Sequence, residues 1–378
     1  MNIVHVSTNS SYTEGWSYHE NLLPKYHGKL GNKVSLIVVN KSRPNQALVT
    51  VPESDFDSAD GFHVYYRKIK RGFLSVMEIY PLLCELNPDV IFFHGMNSAS
   101  ILQAVKYKKN ADHPVTIYQD NHLDYNIGYK PDDVFKDKVV CSILKCLHRM
   151  TAKNIKKVYG VTPWRKEYAI KHFGVDPSKA DVLIMGADDE KIDFQHRDQI
   201  RNEIRQNLEI QDDDFLIVTG GKIDKRKRIE ELIKAVAGIP HVKLLVFGNL
   251  LDDVKDSINE TLKTASNVIY IGWIESEKAY DYFFAADLVC FPGQHSVLWE
   301  QACATKTPCL FASWPGMDHV NNGGNSDFIK DVSVEGIRNK ILEYVYTDKY
   351  YQMKEIARSD ASNIYLYSNI AKKSLEVE

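Results

Sequence analysis

The sequence has no paired-cysteine motif, no long apolar run and no surplus of one charge. Its six cysteines (Cys84, Cys141, Cys146, Cys290, Cys303, Cys309) show no CxxC spacing. Most sit inside apolar runs, such as Cys290 in LVCF and Cys309 in PCLF, and are expected to be buried free thiols of a reducing compartment. That spacing argues against a disulfide framework or a zinc–thiolate site. No apolar stretch approaches the roughly 20 residues needed to span a bilayer. The opening MNIVHVS reads as the start of a strand and lacks the basic n-region and cleavage site of a secretory signal. A cytoplasmic protein is expected, in contact with a membrane at most from that side. The formal net charge is −3, which gives no reason to expect nucleic-acid binding. Any anion site must come from local placement of Lys or Arg. Low-complexity tracts and short-period repeats are also missing.

What is present is ordinary globular composition, with 44% hydrophobic and 26% charged residues in 378. At roughly 100–200 residues per domain, this length suggests two domains. Apolar runs of strand length alternate with longer helical patterns, the mark of βα units and parallel sheets. Strands are predicted at Ile3–Val6, Val34–Val39, Val90–Phe93 and Val115–Tyr118, with helices near Tyr18–Leu30 and Ser98–Tyr107. The pattern restarts with strands at Phe215–Thr219, Val242–Phe247, Val268–Ile271, Leu288–Phe291 and Cys309–Phe311. Helices are predicted between them, near Ile229–Ala237, Val254–Thr264, Glu277–Ala285 and Val297–Thr305. Two such runs argue for an α/β protein of two doubly wound, Rossmann-like domains. The boundary falls in 176–212, and a final helical segment covers about 350–375.

In open α/β sheets, ligands bind beyond the carboxyl ends of the strands. After the first strand, Gly15 precedes a helix, where backbone can approach an anionic ligand or simply turn at the surface. His94 and Gly95 follow the third strand. Asp120 and His122, in QDNH, follow the fourth. Each is either a capping loop residue or part of one shared pocket. In the second half, TGGKIDKRKRIEEL sets Gly221 and five cations (Lys222, Lys225, Arg226, Lys227, Arg228) at a strand-to-helix loop. Diphosphate is the natural partner of such a cluster, and a solvated charge run is the alternative. In PGQHSVLWEQACA, Ser296 is expected to cap a helix starting at Val297, whose free N–H groups suit a phosphate. Glu300 lies about one turn in, placed to accept from a ribose diol or merely to complement the helix dipole.

In order along the chain, these segments resemble the retaining GT-B glycosyltransferases of the large group 1 family, which includes bacterial capsule and lipopolysaccharide transferases. EGW resembles that family's N-terminal glycine loop. VLIMGAD resembles its interdomain V-I-P-N-G-V-D segment. GGKIDKRKRIEELIKAV is similar to its G-R-x-x-x-x-K-G-x-x-x-L-I-x-A pattern, with Lys222 at the Arg and Lys227 at the Lys. VIYIGWI resembles the strand after which backbone reads the base, here Trp273 and Ile274. WEQACATKTPCLF resembles L-E-A-M-A-x-G-x-P-V and puts Glu300 on the ribose. YSNIAKKSLE resembles the C-terminal helix that crosses back to the first domain. The resemblance implies an acceptor-side domain of residues 1–180 completed by a helix at 350–378. It also implies a nucleotide-sugar-binding domain of residues 181–349 and an active site in the cleft between them. Two departures stand out. Pro292 replaces the Glu that the family often has eight residues before the ribose Glu, with Gln294 and His295 filling a shortened loop. Asp120, followed by His122, takes the place of a family His.

The resemblance implies a retaining transfer from a nucleotide-diphosphate sugar, UDP-linked by expectation, to a glycan or lipid-linked acceptor in cell-surface polysaccharide synthesis. The donor would contact Gly15, Gly221, Lys222, Lys227, Trp273, Ile274, His295, Ser296, Val297 and Glu300. Lys222 and Lys227 would offset leaving-group charge, while Asp120, His122 and His94 would orient donor or acceptor. No cofactor or metal is expected, because lysines and a helix N-terminus serve the diphosphate and no DxD-type pair lies in a metal-loop setting. The basic stretch from Lys136 to Lys157 is either a solvated helix face or a contact for anionic lipid. Two rival functions remain: a sugar-nucleotide epimerase on the same fold, and a nucleotide-sugar-binding protein without catalysis.

Overall fold

The computed structural model describes residues 1–42, 48–70 and 74–377. The chain divides into two compact units. The first comprises Met1–Met185 and the residues from Ile370 onward, and the second is Gly186–Asn369. The helix expected to rejoin the first unit from residue 350 does so only from Ile370, and the first break falls at Met185 rather than 180.

The sheet of the first unit has eight strands: β1 (Asn2–Ser7), β2 (Lys33–Val39), β3 (Ser54–Asp57), β4 (His63–Arg67), β5 (Val90–His94), β6 (Thr116–Asn121), β7 (Ile155–Gly160) and β8 (Ala180–Val182). Their order is β8-β7-β6-β5-β1-β2-β4-β3, and every pairing is parallel except β3 with β4. Helices on both faces explain why β1, β2 and β5 are near-continuous apolar runs, since a covered parallel strand has no solvent face. Among the helices are α1 (His19–Lys29), α2 (Ile101–Asn110) and α3 (Phe135–Thr151). The strand order reverses between β1 and β5, which makes the loops after them the edge where ligands are received.

The second unit is a six-stranded, wholly parallel sheet: β9 (Phe215–Gly220), β10 (Val242–Phe247), β11 (Val268–Gly272), β12 (Leu288–Phe291), β13 (Cys309–Ala312) and β14 (Ser326–Ile329), in the order β11-β10-β9-β12-β13-β14. Its switch point lies between β9 and β12, where the cationic loop and the Pro292-Gly293 loop emerge. The helices include α4 (Arg197–Asn207), α5 (Ile229–Val236), α6 (Leu298–Ala304), α7 (Asp348–Arg358) and, ending in the first unit, α8 (Tyr367–Ser374). In α5, Ile229, Leu232, Ile233 and Val236 recur at helical spacing and are all buried, an amphipathic pattern that fixes its packing face.

Every strand and helix predicted from the sequence is present, with small shifts at the ends, except that the single helix expected at about 350–375 is two helices, α7 and α8. The missed elements have physical reasons. In β7, two lysines in IKKVYG interrupt an otherwise buried strand. In α4, Arg205 is the one buried residue of RDQIRNEIRQN, so its polarity reads as linker. Cys84 and Cys146 are exposed, whereas the other four thiols are buried as expected.

Candidate functional site

In the second unit, a strand-end loop is stitched to its neighbour across the switch point. After β9, Gly221 takes φ +111°, a left-handed conformation suited to glycine, and a Cβ there would meet Leu298 Cδ1 at 2.8 Å. Asp224 accepts from Arg226 N at 2.9 Å and ion-pairs with the Arg226 guanidinium at 2.5 Å. Arg228 pairs with Glu231 at 3.1 Å. Two of the five cations are therefore held by carboxylates. Lys222 and Lys225 are exposed. Lys227 Nζ donates to Gln294 O at 2.7 Å and to His295 O at 3.3 Å, while Gln294 N donates to Arg226 O at 2.9 Å. Burial pushes the Lys227 ammonium down to about 8. The structure thus assigns Lys227 to holding the 293–295 loop, a task that its sequence position did not reveal. Gly293 permits this closeness, because any Cβ would overlap the Arg226 and Lys227 backbone.

Glu300, on α6, is fully buried. Its Oε1 accepts from His295 Nε2 at 2.8 Å and from His319 Nε2 at 2.7 Å. Burial alone would raise its pKa. The facing His295 charge and the hydrogen bonds from both imidazoles outweigh burial and hold the carboxyl at about 2. Its Oε2 is buried with no hydrogen-bond partner among the described residues. An unsatisfied buried carboxylate oxygen is costly, so this atom is a natural acceptor for a ligand hydroxyl. Ser296 does not cap α6 with its side chain. The helix starts at Leu298, its N-cap is Val297 with no side-chain bond, and Ser296 contributes its carbonyl to Trp299 N at 2.9 Å. Trp273 is exposed and Ile274 half-buried beyond the end of β11. Sequence reasoning missed His319 altogether. It follows β13 and carries no motif beyond being a histidine past a strand end.

In the first unit, the expected His94, Asp120 and His122 do meet. Asp120 Oδ2 accepts from His94 Nδ1 at 2.6 Å, and its Oδ1 accepts from Gly95 N at 2.8 Å. His122 Nε2 lies 3.4 Å from Oδ1, and His19 Nε2, at the start of α1, lies 3.6 Å from Oδ2. Behind His94 runs a chain of imidazoles: His94 Nε2 to His5 Nδ1 at 3.0 Å, His5 Nε2 to His27 Nδ1 at 2.9 Å, and His27 Nε2 to Ser374 Oγ at 2.7 Å. His5, His19 and His27 were not singled out in the sequence, because the topology alone brings β1, α1 and the C-terminal residues together. Gly15 sits at φ +76°, with open space where a side chain would stand. A cavity of about 410 Å³ opens beside the cluster, lined by Thr8, Asn9, Ser10, Ser11, Tyr18 and Glu20 among others.

Metal-ligand atoms converge within 4.8 Å in both units, at His19, His94, Asp120 and His122 and at His295, Glu300 and His319. A third group, Asp213, Asp214 and His241, lies at the opposite strand ends.

The buried histidines set an acid limit on stability. Burial drives the His27 pKa from 6.5 down to about 3. The folded value lies below the unfolded one, so the neutral ring's contribution is complete above about pH 6.5 and is lost as pH falls toward 3. Urea midpoints should drop on moving from pH 7 to pH 4, with His27 supplying up to ~1.4 kcal/mol per pH unit. The slope should be shallower in His27→Gln.

Two Rossmann-like doubly wound units define the GT-B class of fold. Residues 200–360, within the second unit, match the family model of the glycosyl transferases group 1. An uncharacterized glycosyltransferase of Methanocaldococcus jannaschii is 23% identical over 240 residues, 58% of this chain and 59% of that protein. The chain spans about half the length of the curated relatives it matches, from 46% to 59%. Among solved structures, a glycosyltransferase from Rickettsia africae gives a TM-score of 0.70 at 16% identity, over 99% of this chain and 96% of that one. HepE from Anabaena, solved with UDP and glucose, gives 0.64 at 16% identity, over 100% and 98%.

Proposed function

We propose that this chain is a glycosyltransferase that moves a sugar, with retention of configuration, from a UDP-linked donor to a glycan or lipid-linked acceptor in cell-surface polysaccharide synthesis. The observation that carries the proposal is the buried Oε2 of Glu300, without a hydrogen-bond partner among the described residues, beside the Lys227-clamped loop at the switch point of the second unit. A ribose diol satisfies that oxygen. The diphosphate lies at the Gly221 turn and the start of α6, where Lys222 and backbone N–H groups near Val297 meet its charge. Trp273 and Ile274 border the base. HepE's UDP and glucose complex supports this class of donor for a fold of this kind.

As the bond from the anomeric carbon to the phosphate oxygen breaks, the acceptor oxygen bonds to that carbon from the same face. The acceptor proton passes to the departing phosphate oxygen. Negative charge grows on the leaving group, and the positive edge offsets it without a metal at that position. Asp120, His122 and His94 orient the acceptor. The exposed Phe135, Val139 and Met150 of α3 stand among Lys136, Lys138 and Arg149, a face suited to anionic lipid and so to a lipid-linked acceptor.

Thermal-shift screening against UDP-, GDP-, ADP- and CMP-sugars tests the donor, with UDP-sugars expected to shift most. Lys222→Ala should lower kcat/KM by about tenfold, and Lys227→Ala by about a hundredfold with a lower Tm, because two loop carbonyls lose their donor. Unchanged kinetics in both variants would remove the diphosphate assignment. Donor conversion without acceptor, followed by NMR, would instead indicate an epimerase. Donor binding without transfer or hydrolysis would indicate a binding protein.

A further inference from the structure

We propose that the first unit binds one divalent cation of the zinc class through His19, His94, Asp120 and His122. The four residues come from the start of α1, the end of β5, the end of β6 and the loop after it, so the topology alone assembles them. Their ligand atoms all lie within 4.8 Å of one another. A tetrahedral zinc with bonds of 2.0–2.1 Å sets neighbouring ligand atoms about 3.3 Å apart. His122 Nε2 lies 3.4 Å from Asp120 Oδ1 and His19 Nε2 lies 3.6 Å from Asp120 Oδ2, each close to that spacing from one of the two oxygens. The 2.6 Å contact of His94 Nδ1 with Asp120 must open to admit the ion.

Charge points the same way. Asp120 is fully buried, and Glu20 stands within electrostatic reach of His19, His94 and His122. Arg165 also faces His122, but its guanidinium is committed to Asp124 at 3.0 Å. Two carboxylates facing imidazoles in a buried site call for a compensating cation. Three nitrogen donors with one carboxylate select zinc over magnesium or calcium, which favour oxygen.

The surroundings are those of a supported metal site. Metal-bound imidazoles pass their other ring nitrogen to a fixed partner, and carboxylate ligands are themselves hydrogen-bonded. His94 has His5, continued by His27 and Ser374, and Asp120 Oδ1 has Gly95 N. The His122 side chain is 27% exposed, although its Nε2 is buried, and Glu20 lines the neighbouring cavity. This inference stands on the first unit alone and is independent of the donor reading; with the ion bound, His94, Asp120 and His122 act on an acceptor through it rather than directly.

The test uses the full chain, stripped with chelator and titrated with Zn²⁺ and then Co²⁺. One equivalent with micromolar or tighter Kd and the visible absorption of four-coordinate Co²⁺ is expected. His122→Ala and Asp120→Asn should weaken binding by at least about a hundredfold, and His5→Gln, behind the ligands, by about 10–100-fold. His319→Ala should leave this stoichiometry unchanged, which separates the site from the cluster around Glu300. Should Asp120→Asn fail to fold, His122→Ala and nitrogen-15 imidazole shifts in the native chain carry the test. Absence of Co²⁺ absorption at millimolar metal, or binding indifferent to His122→Ala, overturns the proposal and makes protons on the histidines the compensating charge.

Discussion

Gly293→Ala is expected to weaken donor binding severely while leaving the first unit folded. An alanine Cβ would lie 2.4 Å from Arg226 O and Lys227 C and 2.5 Å from Lys227 Cα, all backbone atoms with no rotamer to yield. Relief requires parting the 293–295 loop from the turn at Lys225–Lys227, which breaks the bond from Gln294 N to Arg226 O and both carbonyl contacts of Lys227 Nζ. Overpacking of this kind costs about 1–3 kcal/mol and the lost bonds add to it, so Tm should fall by several degrees. Because the same loop leads into Glu300, calorimetry should find donor affinity down by more than about a hundredfold. Wild-type affinity in the variant would mean that the two loops need not touch for function.

Glu300 carries the second large effect. Glu300→Gln keeps the volume of the side chain but removes the charge that two imidazoles face. Its kcat/KM for the donor should fall by about a hundredfold, the scale of a lost hydrogen bond to a buried charge. A donor lacking the ribose hydroxyls separates this role from a structural one. In the wild type the deoxy donor should lose a similar factor, and in the variant it should lose little more, since the two changes remove one interaction. Equal discrimination between the two donors in both proteins would place the ribose elsewhere.

The sheets were legible in the sequence because parallel strands covered on both faces are written as unbroken apolar runs, as in FLIVTG and LVCF. The strand ends then pointed to Gly221, Lys227, His94 and Asp120 without any side-chain information. What stayed hidden was whatever depends on long-range meeting. His5 lies in the middle of a strand and reads as an odd residue in an apolar run, yet it touches His27 and His94. His319 gains meaning only when β13 sets it against Glu300. Lys227 reads as a phosphate cation by position, and only its distances to Gln294 and His295 reveal a clamp. The polar helix α4 was mistaken for linker because hydropathy cannot distinguish a helix with one buried residue from a solvated loop.

The return of the chain at Ile370 affects the order of assembly during translation. Ser374 Oγ meets His27, Ser374 O accepts from Tyr159, and Glu376 pairs with Lys156 and Lys157, so the last stretch of chain is part of the first unit's interior. The second unit is a continuous segment and can complete itself as soon as it clears the ribosome. The first, although synthesised earlier, must wait with His27 and Tyr159 uncovered until everything between has been made.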